Sequence, residues 1–390
     1  MRDLRLGVIG LGVRGELANL AHRPAAGSRV VACCDLDPKM PADAQQRFGP
    51  DVIVTQDHRE LLNAGLDGVL VLTPDHTHEP IVLDFLSHEV PVFVEKPLAI
   101  TTLGCDRILA AARTSGTRLY VGHNMRHLPV VKTMRRLIVA GVIGQVKAIW
   151  CRHFVGHGGD FYFKDWHADR RKTTGLLLQK GAHDLDVIHW LAGGYSRLVT
   201  GMGGLVVYGD IQSRRDHTGE RMTDWLAPDL NWPPHRQRDL NPVVDVEDLS
   251  MMQMRLDNGV LASYQQCHFT PDYWRNYTII GSEGRMENFG DADDATVKVW
   301  NRRSDYSPDA DEVIHVPASS GSHGGADPRL IDEFLDFVRH GGTTITSPVA
   351  AREAVAAGYA ATRSLRSGSR PVAVAPPDPA LVTYFETGQL

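Results

Sequence analysis

The chain has 390 residues, 43% of them hydrophobic and 23% charged, with a formal net charge of -6. Those proportions suit a globular protein with room for two domains, and the acidic balance argues against a generic nucleic-acid partner. No apolar run is long enough to cross a bilayer and no secretory leader pattern opens the chain. The five cysteines, Cys33, Cys34, Cys105, Cys151 and Cys267, are odd in number and lack metal spacing, so a reducing cytoplasm is the expected location.

Leu4 to Ile9 reads as a strand; Gly10-Leu11-Gly12-Val13-Arg14-Gly15 follows at once, and Glu16 to Ala21 has helical character. This is the dinucleotide fingerprint in its required setting of strand, turn and helix. Gly10 allows the turn, Gly12 lets backbone approach a pyrophosphate, and Gly15 lets the helix pack on the strand. The helix start offers N–H groups to phosphates. Gly10, Gly12, Val13, Arg14 and Gly15 are therefore cofactor-binding candidates. A second strand, Arg29 to Asp35, ends in an acid 20 positions after Gly15 (35 minus 15). A carboxylate there accepts hydrogen bonds from the adenosine ribose and repels a 2′-phosphate, so NAD is expected, not NADP. A helix N-cap before Pro38 is the competing role for Asp35.

Further strands are predicted at Val52 to Val54, Gly68 to Leu72, Pro91 to Val94 and Arg118 to Val121, with helices near 39–48, 58–63, 78–88 and 102–115. Six strands alternating with helices make a doubly wound parallel sheet. The loop Thr73-Pro74-Asp75-His76-Thr77-His78 stands at a carboxyl edge, where such sheets bind ligands, which places Thr73, Pro74, His76 and His78 beside the cofactor. A zinc site at His76 and His78 is disfavoured because no third or fourth ligand is spaced to help, and no metal is expected. Pro91 to Val94 runs into Glu95-Lys96-Pro97. Proline cannot extend the ladder, so it holds the acid and the base at the rim; taken alone, the pair could be a surface salt bridge. Asn124 and Arg126, after the sixth strand, are placed on the nicotinamide side, Asn124 toward the cofactor and Arg126 toward a substrate.

Gly10 to Gly15, Asp35, Thr73-Pro74 with His78, and Glu95-Lys96-Pro97, in that order and at those separations, resemble the Gfo/Idh/MocA oxidoreductases, the glucose-fructose oxidoreductase and inositol dehydrogenase family. The resemblance covers essentially the whole chain. It implies an α/β protein: a doubly wound Rossmann domain at 1–124, then an α+β substrate-binding and oligomerisation domain at 125–346 with an open, mostly antiparallel sheet. A C-terminal helix and tail at 347–390 would pack back on the first domain. It also implies that Glu95 and Lys96 reach the nicotinamide ribose and the substrate, with Lys96 assisting proton transfer from the reacting hydroxyl.

In the second half a helix is predicted from Pro129 to Ala140, ended by Gly141, and strands at 145–154, 198–208, 246–256, 259–268, 274–281 and 296–300. Met252 to Leu256 alternates apolar with polar, and Asp257-Asn258-Gly259 reads as a hairpin turn. Alternation marks an antiparallel sheet with one covered face; the open face needs cover, so a homodimer or homotetramer is expected. Leu176 to Leu178 reads as a strand or buried approach to a helix at 182–192. Members of the family commonly place an aspartate four residues before a histidine here. This chain keeps the histidine as His183 but has Gln179 at the aspartate position. Glutamine takes no proton at neutral pH, so Gln179 is expected to orient a substrate hydroxyl, while His183 or Lys96, helped by Lys180, acts as base. A lysine joins only if burial or neighbouring charge lowers its pKa.

Lys164, His167 and Lys180 are candidates to hold an anionic sugar substituent, and Trp166 to stack on a sugar face or fill core. The stretch 209–243 has no clear period and reads as a lid or inter-subunit arm anchored by Trp225 or Trp232. Leu330 to Val338 and 347–366 read as amphipathic helices covering the first domain, and the tail from Pro376 as loose. The expected activity is NAD-dependent oxidation or reduction at a secondary alcohol of a sugar, sugar acid or polyol. The rival is an NAD-dependent, redox-neutral glycoside hydrolase, kept open by the missing aspartate and the surplus of Lys180, His167 and Asp184. A nucleotide sensor without catalysis is a third class.

Overall fold

The computed structural model describes residues 2–292, 294–305, 307–318 and 322–389. Its contacts divide into two compact units, Met1–His123 with Asp327–Arg352 and Pro377–Leu390, and Asn124–Ala326 with Glu353–Pro376. Among the described residues no helix is long and apolar enough to cross a membrane.

In the first unit six strands, β1 (Leu4–Ile9), β2 (Ser28–Cys34), β3 (Ile53–Thr55), β4 (Gly68–Val71), β5 (Val92–Glu95) and β6 (Leu119–Gly122), form a parallel sheet in the order β3-β2-β1-β4-β5-β6. β4, β5 and β6 are buried at every position, as strands covered on both faces must be. The strand order reverses between β1 and β4, and the crevice outside the carboxyl ends at such a reversal is where ligands bind. Helix Thr102–Ser115 shows how local chemistry frames the sheet: the Thr101 hydroxyl accepts from Gly104 N at 3.0 Å, and Gly116 ends the helix at φ 67°.

Leu330, Ile331, Phe334, Leu335 and Val338 share a core with Leu6, Phe93 and Tyr120. That burial counts the segment 327–352 with the first unit, whereas the sequence division runs the second domain to 346. The tail is not loose: Pro379–Glu386 is a helix whose Asp378 carboxylate accepts from Ala380 N at 2.8 Å, with Leu381 and Phe385 buried. Beyond it the Gln389 side chain receives the Leu119 N–H at 2.8 Å and donates to the Leu119 carbonyl at 3.0 Å.

The second unit holds β7 (Val146–Phe154), β8 (Ser196–Gly204), β9 (Leu249–Leu256), β10 (Leu261–Cys267), β11 (Trp274–Gly281), β12 (Arg285–Phe289), β13 (Thr296–Trp300), β14 (Glu312–His315) and β15 (Val372–Ala373). They lie in the order β14-β13-β12-β11-β7-β10-β9-β8-β15, antiparallel throughout except for the β7–β10 pair. One face carries Met252, Met254, Tyr264, Tyr277 and Ile279 into a core shared with Val131 and Met134 of helix Pro129–Val139 and Leu185 and Ile188 of helix Gly181–Ala192. The other leaves Trp150, Met202, Met251 and Leu261 exposed. One expectation is resolved and one changes. Of the two roles open to Leu176 to Leu178, the structure has the buried approach to the helix, as a single helical turn Leu176–Gln179, and not the strand. The strand expected to reach 208 stops at Gly204, because the Asp248 carboxylate collects the N–H groups of Val206, Val207 and Tyr208, each at 2.8 Å, and removes them from any ladder.

Candidate active site

At the carboxyl edge of the first unit, Gly10 has φ 89°, and a Cβ there would stand 2.8 Å from the Leu72 carbonyl oxygen, so the turn requires glycine. At Gly12 a Cβ would meet nothing within 4 Å, which leaves the backbone open to a close ligand. A Cβ added at Gly15 would stand 3.7 Å from the Gly10 carbonyl oxygen, and Val13 is exposed on the turn. Asp35, just after β2, accepts from Leu11 N at 2.7 Å and from Asp37 N at 2.9 Å, so it ties the end of β2 to the glycine turn. An open turn with an acid fixed beside it fits the pyrophosphate and adenosine ribose of NAD.

Arg14 behaves differently from a phosphate-facing residue. Its Nε and Nη2 donate to Glu95 Oε1 at 2.8 and 2.6 Å, and its Nη1 donates to Asp327 Oδ2 at 2.9 Å. Glu95 also accepts from Lys96 N at 2.9 Å. The glycine turn is thus bolted to the end of β5 by charge-assisted bonds, with Lys96 half-buried beside them. His78 is fully buried, and its two ring nitrogens lie 2.8 Å from the Thr73 and Pro97 carbonyl oxygens. It fastens the loop after β4 to the loop after β5; it positions Thr73 and Pro74 and does not itself face a ligand. Thr77 Oγ1 lies 2.7 Å from both Thr73 Oγ1 and the Pro74 carbonyl, and His76 is half-buried in the same turn.

The second unit concentrates its polar groups around the start of helix Gly181–Ala192. Asp184 is fully buried: Tyr277 donates to Oδ1 at 2.5 Å, His153 Nδ1 to Oδ2 at 2.9 Å, and Arg275 Nε stands 3.0 Å from Oδ1. Burial alone would raise the Asp184 pKa, but Arg275 and His153 hold it well below the usual carboxylate range. Burial and Arg275 lower His153 to about 3. Its ring is therefore neutral, donating from Nδ1 to Asp184 and accepting at Nε2 from Arg275 at 3.3 Å. Arg275 in turn donates to Asp291 at 3.1 Å. Beside this network is Lys180, whose pKa falls from 10.5 to about 8, first through burial of the ammonium and then through Arg275, with Asp184 and Asp291 opposing. Its ammonium lies 5.8 Å from the centre of the Tyr162 ring, which also meets His167 and His268 edge-on, each at 5.2 Å.

The other sequence candidates divide. Gln179 is buried on its one-turn helix and His183 half-buried in the first turn of the next. Trp166 stacks on His167 with centroids 3.7 Å apart. Asn124 is buried. Arg126 makes two 2.7 Å bonds to Asp186, both residues buried, so it serves an internal ion pair and not a substrate. Lys164 is likewise spent: its ammonium lies 3.3 Å from buried Asp160 and 3.5 Å from the Trp225 carbonyl. Asp160 also accepts from Asn231 at 2.7 Å and Gln237 at 3.0 Å, which pins the 209–243 stretch to helix Gly158–Tyr162. Sequence reasoning missed His153, Tyr162 and Arg275. The polar residues at inward positions of β7 and β11 were the available signal for His153 and Arg275.

Comparison with known proteins agrees with this geometry. Residues 4–123 match "Oxidoreductase family, NAD-binding Rossmann fold", and residues 135–374 match "Oxidoreductase family, C-terminal alpha/beta domain". Inositol 2-dehydrogenase of Burkholderia multivorans is 38% identical over 193 residues, 49% of this chain and 55% of that enzyme, so the chain spans about half the length of the curated relative. YteT of Bacillus subtilis is 23% identical over 359 residues, 81% of this chain and 84% of that protein. Among solved structures, levoglucosan dehydrogenase in complex with NADH and levoglucosan superposes with a TM-score of 0.77 at 20% identity, covering 96% of this chain and 100% of that one. GenD2 from gentamicin A biosynthesis, in complex with NAD, gives 0.70 at 21%, covering 96% and 97%. Those two likenesses concern the fold alone. A glycine turn at the sheet's reversal point, the acid after β2 and family matches over both halves make the chain a member of the Gfo/Idh/MocA oxidoreductase family, with an NAD-binding Rossmann domain.

Proposed function

We propose that the protein is an NAD-dependent dehydrogenase acting on a secondary alcohol of a sugar or polyol. The observation that carries this reading is Lys180, a lysine brought to about 8 three residues before His183 and beside a charge network that fixes its surroundings. A group titrating near neutrality can exchange a proton with an alcohol, and nothing in a nucleotide sensor needs one. The likeness to inositol 2-dehydrogenase supports a sugar or polyol as substrate class.

Bound NAD supplies the hydride acceptor. Gly10, Gly12 and Gly15 admit its pyrophosphate, Asp35 takes the adenosine ribose, and Thr73, Pro74 and Glu95 shape the nicotinamide end. In the second unit Lys180, three residues before His183, takes the proton of the reacting hydroxyl while Gln179 accepts or donates to orient it; in the first, Lys96 stands next to Glu95 at the nicotinamide end. With Lys164 neutralised by Asp160, a neutral polyol suits the second unit better than an anionic sugar. We further propose a homo-oligomer, supported by the exposed Trp150, Met202, Met251 and Leu261 on the outer sheet face.

The test is to supply NAD with myo-inositol, levoglucosan, sugar acids and nitrophenyl glycosides, following NADH and released nitrophenol together. NADH formed in proportion to a polyol or sugar consumed is the expected result. Nitrophenol released with catalytic NAD and no net NADH would replace this reading with a redox-neutral glycoside hydrolase.

A further inference from the structure

His268 follows β10 and is held rigidly by its backbone. Its N–H donates to the Asp248 carbonyl at 2.9 Å, and its own carbonyl accepts from the Tyr208 hydroxyl at 2.9 Å. Gly158 lies so close that a Cβ there would stand 2.4 Å from the His268 oxygen. The side chain is another matter. It is fully buried, yet neither Nδ1 nor Nε2 has a hydrogen-bond partner among the described residues. Its surroundings are the rings of Tyr162 at 5.2 Å and Phe163 at 6.2 Å, both edge-on. Folding gains nothing from an imidazole in such a place, since a phenylalanine would fill the same space without stranding a donor and an acceptor.

Two facts say what the ring is for. Tyr162, which meets it edge-on, is partly exposed and sits at the end of a five-residue helix that opens with Gly158 and Gly159. The same ring lies beside Lys180 and His167, so the stranded imidazole is one side chain away from the proton-transfer candidates. Burial keeps the His268 ring neutral, leaving one N–H and one lone pair. That pair matches an alcohol, which both accepts and donates, and mismatches a carboxylate or phosphate, which wants donors only.

Resting on the dehydrogenase reading above, we propose that His268 is a substrate-contacting residue that hydrogen-bonds a neutral hydroxyl of the polyol, other than the one oxidised, once the Tyr162 ring is displaced. Specificity for a hydroxyl at that position then comes from a buried group left unpaired by any analogue lacking it.

The experiment compares wild type, His268→Phe and His268→Asn on whichever of myo-inositol or levoglucosan the wild type oxidises, with NADH binding measured separately by fluorescence without sugar. His268→Phe is expected to raise KM for the polyol at least tenfold, with kcat changed less than threefold, NADH binding unchanged and melting temperature equal or higher. His268→Asn, which restores a donor and an acceptor, should recover part of the loss. If the phenylalanine variant loses its circular dichroism, His268→Ala takes its place in the comparison. Wild-type KM in the apolar variant overturns the contact while leaving the dehydrogenase reading intact. Absence of NADH from wild type with every polyol overturns both.

Discussion

Replacing Lys180 by methionine should make the protein more stable and less active at once. The lysine pKa falls from 10.5 to about 8, because its ammonium is buried and Arg275 is near. At about 1.4 kcal/mol per pH unit, that gap amounts to roughly 3 kcal/mol against the charged form. The residue keeps some contact with solvent, so about 1–2 kcal/mol is the share expected in solution. Between pH 8 and 10.5 the folded chain binds fewer protons than the unfolded one, so the wild-type penalty is complete below about pH 8 and fades as pH rises toward 10.5. Methionine retains the stem and drops the charge. Lys180→Met is therefore expected to gain about 1–2 kcal/mol at pH 7 in urea unfolding, with the gain shrinking above pH 8. Its kcat/KM for NADH formation should fall about a hundredfold or more, within the usual range for losing an acid–base group. A variant less stable than wild type, or a difference that does not change with pH, would refute the argument.

Asp186→Asn leaves the buried Arg126 guanidinium without its counter-charge and should cost about 3–5 kcal/mol in urea unfolding, while the double change Arg126→Met with Asp186→Leu recovers most of it. His78→Leu removes the ring whose single N–H serves one of the Thr73 and Pro97 carbonyls, both 2.8 Å away. A loss of about 2 kcal/mol is expected, together with weaker NADH binding by fluorescence titration, because the loop after β4 is no longer fastened to the loop after β5.

The first unit was legible because strands covered on both faces are written as unbroken apolar runs, and because Gly10 stands where only glycine fits. The second unit was legible in its alternating strands, such as β9, and opaque at its margins. β14 is mostly exposed and β15 has two residues, so neither carries a pattern of its own; each exists because a neighbour offers a ladder. The candidate site divides the same way. Lys180 and His183 could be named from a helix start, but the network around them joins residues 153, 184 and 275 from two strands and a helix, and no local period reports such a meeting. Arg14 read as a ligand residue because its partner Asp327 lies 313 positions away. Lys164 was within reach of local reasoning, since Asp160 stands four residues before it.

The amide of Gln389 serves β6 as one more residue of sheet, taking the N–H and returning to the carbonyl of Leu119. β6 is the outermost strand on that side, and its pairing partner is synthesised 270 positions later. During translation this rim therefore waits unprotected while some 270 further residues emerge, open to any strand that passes. Loss of Gln389 would extend that interval indefinitely, so material lacking it should self-associate while its glycine turn remains intact.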